Sequence, residues 1–418
     1  MKPLTMPGAR GPSRARRATV ARLATAATLA LALAATPRPA PAAVVTFDVA
    51  VPPSTPPGAT VYLAGDFQGW SPGAADWALT RGADGRWARR VVFADGQPLQ
   101  FKFTLGGWDR VEKGAAGEEL ANRLHVVRGD TTLHLAVASW SDGAPPRDTT
   151  TGDVRRLDVP GFAGGRRVWV WLPPGYDAEP SRRYPVLYVL DGQNAFNAAT
   201  SFAGEWEIDE SLARLVAAGE VEPVIVVAIA NGEGGRALEY TPWPGPGWRE
   251  PTGGGADHLR EICDVLKPAV DRQWRTLADP AHTGLCGSSF GGLMALFAGW
   301  SRPDVFGRLA ALSPSLGWAG HAPLAMVSAR PRPPVRLYVD MGTREEGNLH
   351  DADGNGVDDA VDDLDALASA LRRRGFTDGA DLLVVVDEGA RHHESAWARR
   401  FPGAMRFLFP GPAATARR

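Results

Sequence analysis

Two textures of apolar and polar positions divide the chain. From Val44 to about Asp142, short runs alternate in character: Val45-Thr46-Phe47-Asp48-Val49, Thr60-Val61-Tyr62-Leu63 and Leu99-Gln100-Phe101-Lys102-Phe103-Thr104. A period of two places every second side chain on one face, so these runs predict half-buried strands. Gly, Pro and Asp separate them. Arg81-Gly82-Ala83-Asp84-Gly85-Arg86 holds an Asp-Gly pair between two runs, a hairpin signal because such turns need positive φ. The segment 44–142 predicts a β-sandwich of roughly 100 residues. Residues 143–152, with a Pro pair and Thr150-Thr151, have no period and predict an exposed connector.

From Asp153 to about Pro412 the pattern changes, leaving 413–418 as a tail. Val186-Leu187-Tyr188-Val189-Leu190 and Val224-Ile225-Val226-Val227-Ala228-Ile229 are continuous apolar runs, as strands buried on both faces require. Leu285-Cys286, Leu337-Tyr338-Val339 and Leu382-Leu383-Val384-Val385-Val386 add three more. Helical spacing lies between them, over Ile208 to Ala218, Leu259 to Val270, Leu293 to Trp300, and Leu364 to Arg374, stopped by Gly375. Strands alternating with helices predict an α/β domain with a mostly parallel sheet and helices on both faces. The chain is thus a small all-β sandwich followed by an α/β domain, without internal repeats.

Charge sets the N-terminus apart. The first 43 residues carry seven basic and no acidic side chains, and the remaining 38 basic against 47 acidic groups give a net charge of −9. An acidic protein of this kind is a poor partner for nucleic acid. Arg10, Arg14, Arg16, Arg17 and Arg22 precede the uncharged run Leu23 to Ala35, and Ala40-Pro41-Ala42-Ala43 offers the small residues of a cleavage site. The run is shorter than the ~20 residues a membrane span needs. Residues 1–43 therefore predict a cleavable signal peptide and a secreted or periplasmic protein with no membrane span; the Arg16-Arg17 pair is a weak twin-arginine match. Two cysteines, Cys263 and Cys286, make no disulfide framework.

Gly287-Ser288-Ser289-Phe290-Gly291 follows a strand run and precedes a helical one, the setting of an α/β-hydrolase nucleophile elbow. The flanking glycines permit a sharp turn that lifts Ser289 off the sheet at a helix N-terminus, where N–H groups favour a developing oxyanion. Such a serine needs a base, and in this fold the order is Ser, acid, His. His392 and His393 alone follow a strong strand run near the end of the domain, and the residues by themselves leave that pair open. The loop after Val335–Val339 offers Asp340, Glu345, Glu346 and Asp351 as the acid that orients the imidazole. The N–H of Phe290, with that of Gln193 in Asp191-Gly192-Gln193-Asn194, would form the oxyanion hole.

Several motifs together resemble the enterochelin-esterase-like esterases, allied to feruloyl and acetyl-xylan esterases and to mycolyltransferases. They are Tyr188-Val189-Leu190-Asp191-Gly192-Gln193-Asn194, Glu205-Trp206, Glu239-Tyr240-Thr241-Pro242, Gly287-Ser288-Ser289-Phe290-Gly291-Gly292, Pro303-Asp304-Val305-Phe306, Leu312-Ser313-Pro314-Ser315 and Asp340-Met341-Gly342-Thr343-Arg344-Glu345. The resemblance implies Glu345 as the acid and His392, five residues before Trp397, as the base. It implies metal-free ester hydrolysis with no cofactor, and a pocket lined by Glu205, Trp206, Tyr240, Trp243 and Trp318. Its substrate would be a small-molecule or polysaccharide-linked ester of sugar, siderophore or aromatic-acid type. The sandwich resembles starch-binding-type carbohydrate-binding modules through Val61-Tyr62-Leu63-Ala64-Gly65-Asp66-Phe67-Gln68-Gly69-Trp70, so glycan is a candidate partner, through Trp70, Trp77, Trp87 and Trp108. An acidic and basic stretch, Asp109 to Glu119, departs from that pattern. Asp351 to Asp362 has Asp351, Asp353, Asn355 and Gly356 at the first, third, fifth and sixth places of a calcium loop, a candidate structural Ca²⁺ site; otherwise it is an acidic turn capping the helix from Val361. Two rivals to hydrolysis stand beside it: acyl transfer to a sugar hydroxyl on the same scaffold, and non-catalytic carbohydrate binding.

Overall fold

The alternating runs of the first region fold as strands. The computed structural model describes residues 42–115, 117, 120, 122–141, 148–201, 204–245, 251–345 and 350–412. Residues 1–41 of the expected leader, residues 143–147 of the expected connector, Glu119, Glu346 and the tail 413–418 lie outside them. The sandwich contains β1 (Ala42–Ala50), β2 (Tyr62–Gly65), β3 (Thr80–Arg81), β4 (Trp87–Ala94), β5 (Pro98–Thr104), β6 (Glu112–Lys113), β7 (Arg123–Val126), β8 (Thr131–Ala136) and β9 (Ser139–Trp140). One sheet runs β3-β4-β1-β8, the other β2-β5-β7, and β6 pairs with β9. Every second residue of β1 (Ala43, Val45, Phe47 and Val49) is buried. Phe47 meets Phe93 of its own sheet and Phe101 of the other, at 6.4 and 5.1 Å, which seals the two faces together. The Asp-Gly pair makes the β3–β4 hairpin: Gly85 has φ 82° and the Asp84 carboxylate accepts the Arg86 N–H.

Two details stand out at the edges of this region. β1 starts at Ala42, ahead of the expected run Val45–Val49, with Ala42 and Ala43 paired to Ala94 and Phe93. The described half of the connector is not loose. Thr149 and Thr151 are partly buried and hydrogen-bonded to Glu205, Asp209 and Glu210, because those carboxylates need donors that this segment supplies.

The second region holds one eight-stranded sheet: β10 (Asp153–Leu157), β11 (Val168–Leu172), β12 (Val186–Leu190), β13 (Ile225–Ile229), β14 (Thr283–Ser288), β15 (Arg308–Leu312), β16 (Arg336–Gly342) and β17 (Leu382–Asp387), in the order β10-β11-β13-β12-β14-β15-β16-β17. β10 and β11 are antiparallel additions at one edge; all later pairings are parallel. Its helices are α1 (Ile208–Ala217), α2 (Arg236–Tyr240), α3 (Gly255–Glu261), α4 (Lys267–Gln273), α5 (Phe290–Ser301), α6 (Trp318–Ala329), α7 (Asp359–Arg373) and α8 (Glu394–Leu408). A π-helical segment, Ile262–Leu266, joins α3 to α4.

The pleat explains why both faces are covered. Val186, Tyr188 and Leu190 of β12 belong to a core shared with α2 to α7. Leu187 and Val189 point the other way, into a core built with α1 and α8. The parallel strands end at one common edge, and the loops leaving β12, β14, β15, β16 and β17 gather there, where open α/β sheets bind ligands. Cys263 and Cys286 are both buried and unpaired. Among the described residues no helix is long and apolar enough to cross a membrane.

Candidate active site

The elbow is built by backbone crowding. A Cβ on Gly287 would lie 2.6 Å from the Gly291 carbonyl carbon, and one on Gly292 would lie 3.1 Å from the Leu312 carbonyl oxygen. Only hydrogen fits at Gly287 and a Cβ at Gly292 would be tight, so the turn between β14 and α5 closes tightly. Ser289 at its tip has φ 57° and ψ −122°, a conformation that costs a non-glycine residue about 1–3 kcal/mol and persists only where its surroundings fix it. Its N–H donates to Leu312 O at 3.1 Å, and its carbonyl accepts from Leu293 and Ser315 N–H at 3.0 and 3.2 Å. The hydroxyl is partly exposed and lies 3.5 Å from Ser315 Oγ.

On the loop after β17, His392 turns back over β16 to Glu345. Its Nδ1 lies 2.6 Å from Glu345 Oε2, and its N–H donates to the Glu345 carbonyl at 3.1 Å. A carboxylate facing Nδ1 fixes the proton there and leaves the Nε2 lone pair toward the open edge. Glu345 is 7% exposed. Burial pushes its carboxyl up, but His392, Ser313 and the Gly342 N–H together hold it below the ordinary glutamate value. Its other oxygen, Oε1, accepts from Ser313 Oγ at 2.7 Å and from Gly342 N–H at 2.5 Å. Among the described residues no hydrogen bond joins Ser289 to His392.

Ser313, which neither spacing nor composition singled out, ties this edge together. Its Oγ donates to Glu345 and accepts from Trp397 Nε1 at 3.0 Å and Arg400 Nη2 at 2.7 Å. Trp397 stands edge-on to the His392 ring at 5.0 Å. Arg400 is buried, 3.2 Å from Asp340 and 4.0 Å from Glu345. The Leu312-Ser313-Pro314-Ser315 motif was the only sequence signal pointing here, and it gave the serine no role.

The rival acids and histidines are placed elsewhere. Asp340 is fully buried beneath the site, accepting from Ser313 N–H and Tyr338 OH at 2.9 and 2.8 Å. Burial lifts its carboxyl to about 6 despite Arg400. Asp351 accepts N–H bonds from Gly354, Asn355 and Gly356 of its own loop. His393 caps α8 through Nδ1, 3.2 Å from Ser395 N, and burial pushes its imidazole down to about 4. His321 and His350 pair with Asp363 and Asp359 of α7, at 2.9 and 2.8 Å.

The Asp191-Gly192-Gln193-Asn194 turn follows β12 at the same edge. A Cβ on Gly192 would lie 2.4 Å from Ala228 C, so the turn presses against β13. Gln193 Oε1 accepts the Asn231 N–H at 3.1 Å, and its backbone carbonyl accepts from Thr200 Oγ1 at 2.6 Å. Phe290 opens α5, with its ring against Trp318 at 4.8 Å. Asp191 is buried in a two-pronged pair with Arg236, both contacts 2.8 Å.

Of the five expected pocket residues, two lie in the interior. Tyr240 is 0% exposed and its hydroxyl accepts the Asp191 N–H at 3.0 Å. Trp206 is 2% exposed and packs on Trp397 at 5.7 Å. Both rings go to the interior because burying an aromatic face outweighs leaving it in a wet cleft. Glu205 turns toward Thr149 and two other carboxylates. Trp318 and Trp243 are partly buried near Phe290, with the Trp318 indole N–H on the Trp243 carbonyl at 2.8 Å. In the expected calcium loop, Asp358 caps α7 by accepting the Ala360 N–H at 3.2 Å. In the sandwich, Trp87 is buried and Trp77 packs on Phe67, whereas Trp108 is 43% exposed beside Trp70, ring centres 6.2 Å apart.

Comparison with known proteins agrees with this architecture. A family model described as "Putative esterase" matches residues 162–408. An uncharacterised Bacillus subtilis protein, YbbA, is 27% identical over 251 residues, covering 59% of this chain and 94% of that protein. An alpha-amylase of Niallia circulans is 39% identical over 99 residues, but these are 23% of this chain and 8% of the amylase. The iron(III) enterobactin esterase of Dickeya dadantii is 31% identical over 153 residues, 37% of this chain and 31% of that enzyme. The chain thus spans only a minor part of the two relatives with named activities. Among solved structures, the enterobactin esterase of Shigella flexneri, crystallised with enterobactin, aligns with TM-score 0.50 at 16% identity, over 84% of this chain and 87% of that one; this likeness concerns the fold. With the family model covering more than half of the sequence, the chain belongs to this esterase family and is an ester hydrolase of the α/β-hydrolase fold.

Proposed function

We propose that the protein cleaves a carboxylic ester through an acyl-enzyme on Ser289. His392 Nε2 takes the Ser289 proton as Oγ attacks the ester carbonyl, then passes it to the leaving alcohol. Water, deprotonated by the same nitrogen, attacks the acyl-serine, and the proton returns to Ser289 as the acid departs. Glu345 holds the imidazole in the tautomer this requires, and the N–H groups of Phe290 and Gln193 receive the oxyanion. The observation that carries the proposal is the buried Glu345 carboxylate on His392 Nδ1 at 2.6 Å, at the same sheet edge as the strained Ser289. Ser289 Oγ rests on Ser315 in the free protein; hydrogen bonds of this kind often tighten only with substrate bound. The chemistry needs no metal or cofactor.

The substrate we infer is a small or polysaccharide-linked ester with a sugar, siderophore or aromatic-acid part, handled outside the cytoplasm after removal of the N-terminal leader. Its support is the partly buried Trp318 beside Phe290 and the siderophore and feruloyl ester chemistry that relatives' names describe. Hydrolysis of short-chain p-nitrophenyl esters by the wild type, absent in Ser289→Ala, tests the reaction. Stoichiometric fluorophosphonate labelling that depends on Ser289 separates an enzyme from a binding protein, and acyl transfer to added sugars reveals a transferase.

The sandwich has a second role to test. The exposed Trp108 beside Trp70 offers an aromatic surface of the kind sugar rings stack on. Retention of the whole protein on amylose, lost in a Trp70→Ala/Trp108→Ala double variant, is the result expected of glycan binding; equal retention of both proteins rejects it.

A further inference from the structure

Three carboxylates converge where residues 148–151 meet the first turn of α1. One oxygen each from Glu205, Asp209 and Glu210 lies within 4.8 Å of the other two. Each uses an oxygen on a neighbouring threonine. Glu205 Oε2 accepts from Thr149 Oγ1 at 2.7 Å, Asp209 Oδ2 from the Thr151 N–H at 2.6 Å, and Glu210 Oε1 from Thr151 Oγ1 at 3.4 Å. The remaining oxygens, Glu205 Oε1, Asp209 Oδ1 and Glu210 Oε2, are shut off from solvent and have no donor. Asp209 is 0% exposed, so its unpartnered oxygen is held away from water.

Such an arrangement calls for positive charge. Asp209 and Glu210 lie in the first turn of α1, but a helix N-terminus supplies roughly half a charge against three. Among the described residues no Lys or Arg forms an ion pair with any of the three carboxylates.

We propose that Glu205, Asp209 and Glu210 bind a divalent cation of the hard, oxygen-preferring class of Ca²⁺ and Mg²⁺. The donors present are carboxylate and hydroxyl oxygens, with no thiolate or imidazole, which selects that class over Zn²⁺ or Cu²⁺. Metal–oxygen distances of about 2.3–2.6 Å place opposite ligands about 5 Å apart, in keeping with the observed spacing. The ion takes no part in the reaction. It fastens residues 148–151 to α1 and braces Trp206, which lies between the ligands in sequence and packs on the Trp397 ring beside His392.

The test is metal content and melting temperature of the whole protein after chelator treatment, then with millimolar Ca²⁺ or Mg²⁺. We expect one ion per chain to be regained at this site and the melting point to rise by about 3–6 °C. Asp209→Asn and Glu205→Gln should each lose that ion and the shift, while Asp351→Asn, in the other acidic loop, keeps both. A shift that survives Asp209→Asn and disappears in Asp351→Asn overturns the assignment. So does stabilisation of chelated protein by mild acid with no response to either ion, since shared protons then satisfy the cluster. If Asp209→Asn fails to fold, Glu205→Gln and the wild-type ion count decide.

Discussion

Ser289 holds its φ of 57° because three backbone hydrogen bonds fix the residue from both sides. Relieving that strain should stabilise the fold while removing the nucleophile. Ser289→Gly is expected to melt above the wild type by about 1 kcal/mol and to be inactive; Ser289→Ala, which keeps the Cβ, is expected to be equally inactive with little change in melting. Ser313 acts through Glu345. Ser313→Ala leaves Trp397 Nε1 and Arg400 Nη2 without their acceptor and Glu345 Oε1 with one donor fewer, so we expect a loss of about 1–3 kcal/mol and a fall in kcat of tenfold or more. Because Glu345 is held low, its contribution to stability is present above the unfolded glutamate value and is lost as pH falls through the lower folded one. Glu394 has the opposite sign: burial lifts its carboxyl to about 8, so stability drains away as pH rises from the unfolded value toward 8. Glu394→Gln should match the wild type in melting near pH 5 and exceed it by about 1–3 kcal/mol near pH 9. Some of these roles were legible as residue types in motifs. The choice of Glu345 over Asp340 depends on which carboxylate reaches Nδ1, and that distance is set by the turn after β16.

At the scale of elements, the strands buried on both faces read directly from their apolar runs, β12 and β13 most clearly, and the same kind of run marked β17, which lies at the edge of the sheet and is only partly buried. β15 did not, since Arg308-Leu-Ala-Ala-Leu is short and Ala-rich and only burial between β14 and β16 makes it a strand. The antiparallel β10 and β11 and the last helix, α8, were also missed. α8 carries Pro402 and Gly403, which local propensity scores against a helix although its apolar face closes a core. Trp206 and Tyr240 show the same limit: their burial is decided by packing between elements, to which sequence spacing gives no access. The elbow depends on hydrogen at Gly287. Gly287→Ala would push a methyl onto the Gly291 backbone at 2.6 Å, so we expect a cost of about 1–3 kcal/mol and loss of activity from a displaced Ser289. At the other end of the chain, beginning the protein at Val44 in place of Ala42 removes two rungs of the β1–β4 ladder, including the buried Ala43. A slightly lower melting point for the shorter version, by roughly 1 kcal/mol or less, is expected in thermal denaturation.

For the whole molecule, the sandwich and the hydrolase region are more than beads on a string. Lys102 of β5 is buried and its charge is felt by both His393 and Glu394, on the segment that carries His392. Thr149 and Thr151 fasten the end of the connector to Glu205 and to the first turn of α1. The sequence marked where one texture ended and the next began, but not that the junction would be stitched down, because the stitches are single polar groups distant in sequence. The row of rings from Trp206 through Trp397 to His392 gives the molecule a further property. An imidazolium quenches indole emission at short range, so Trp397, 5.0 Å from His392, is an optical gauge of the charge on that ring. Subtracting the fluorescence of Trp397→Phe from that of the wild type across a pH series would read the protonation of His392 directly, without substrate and without a label.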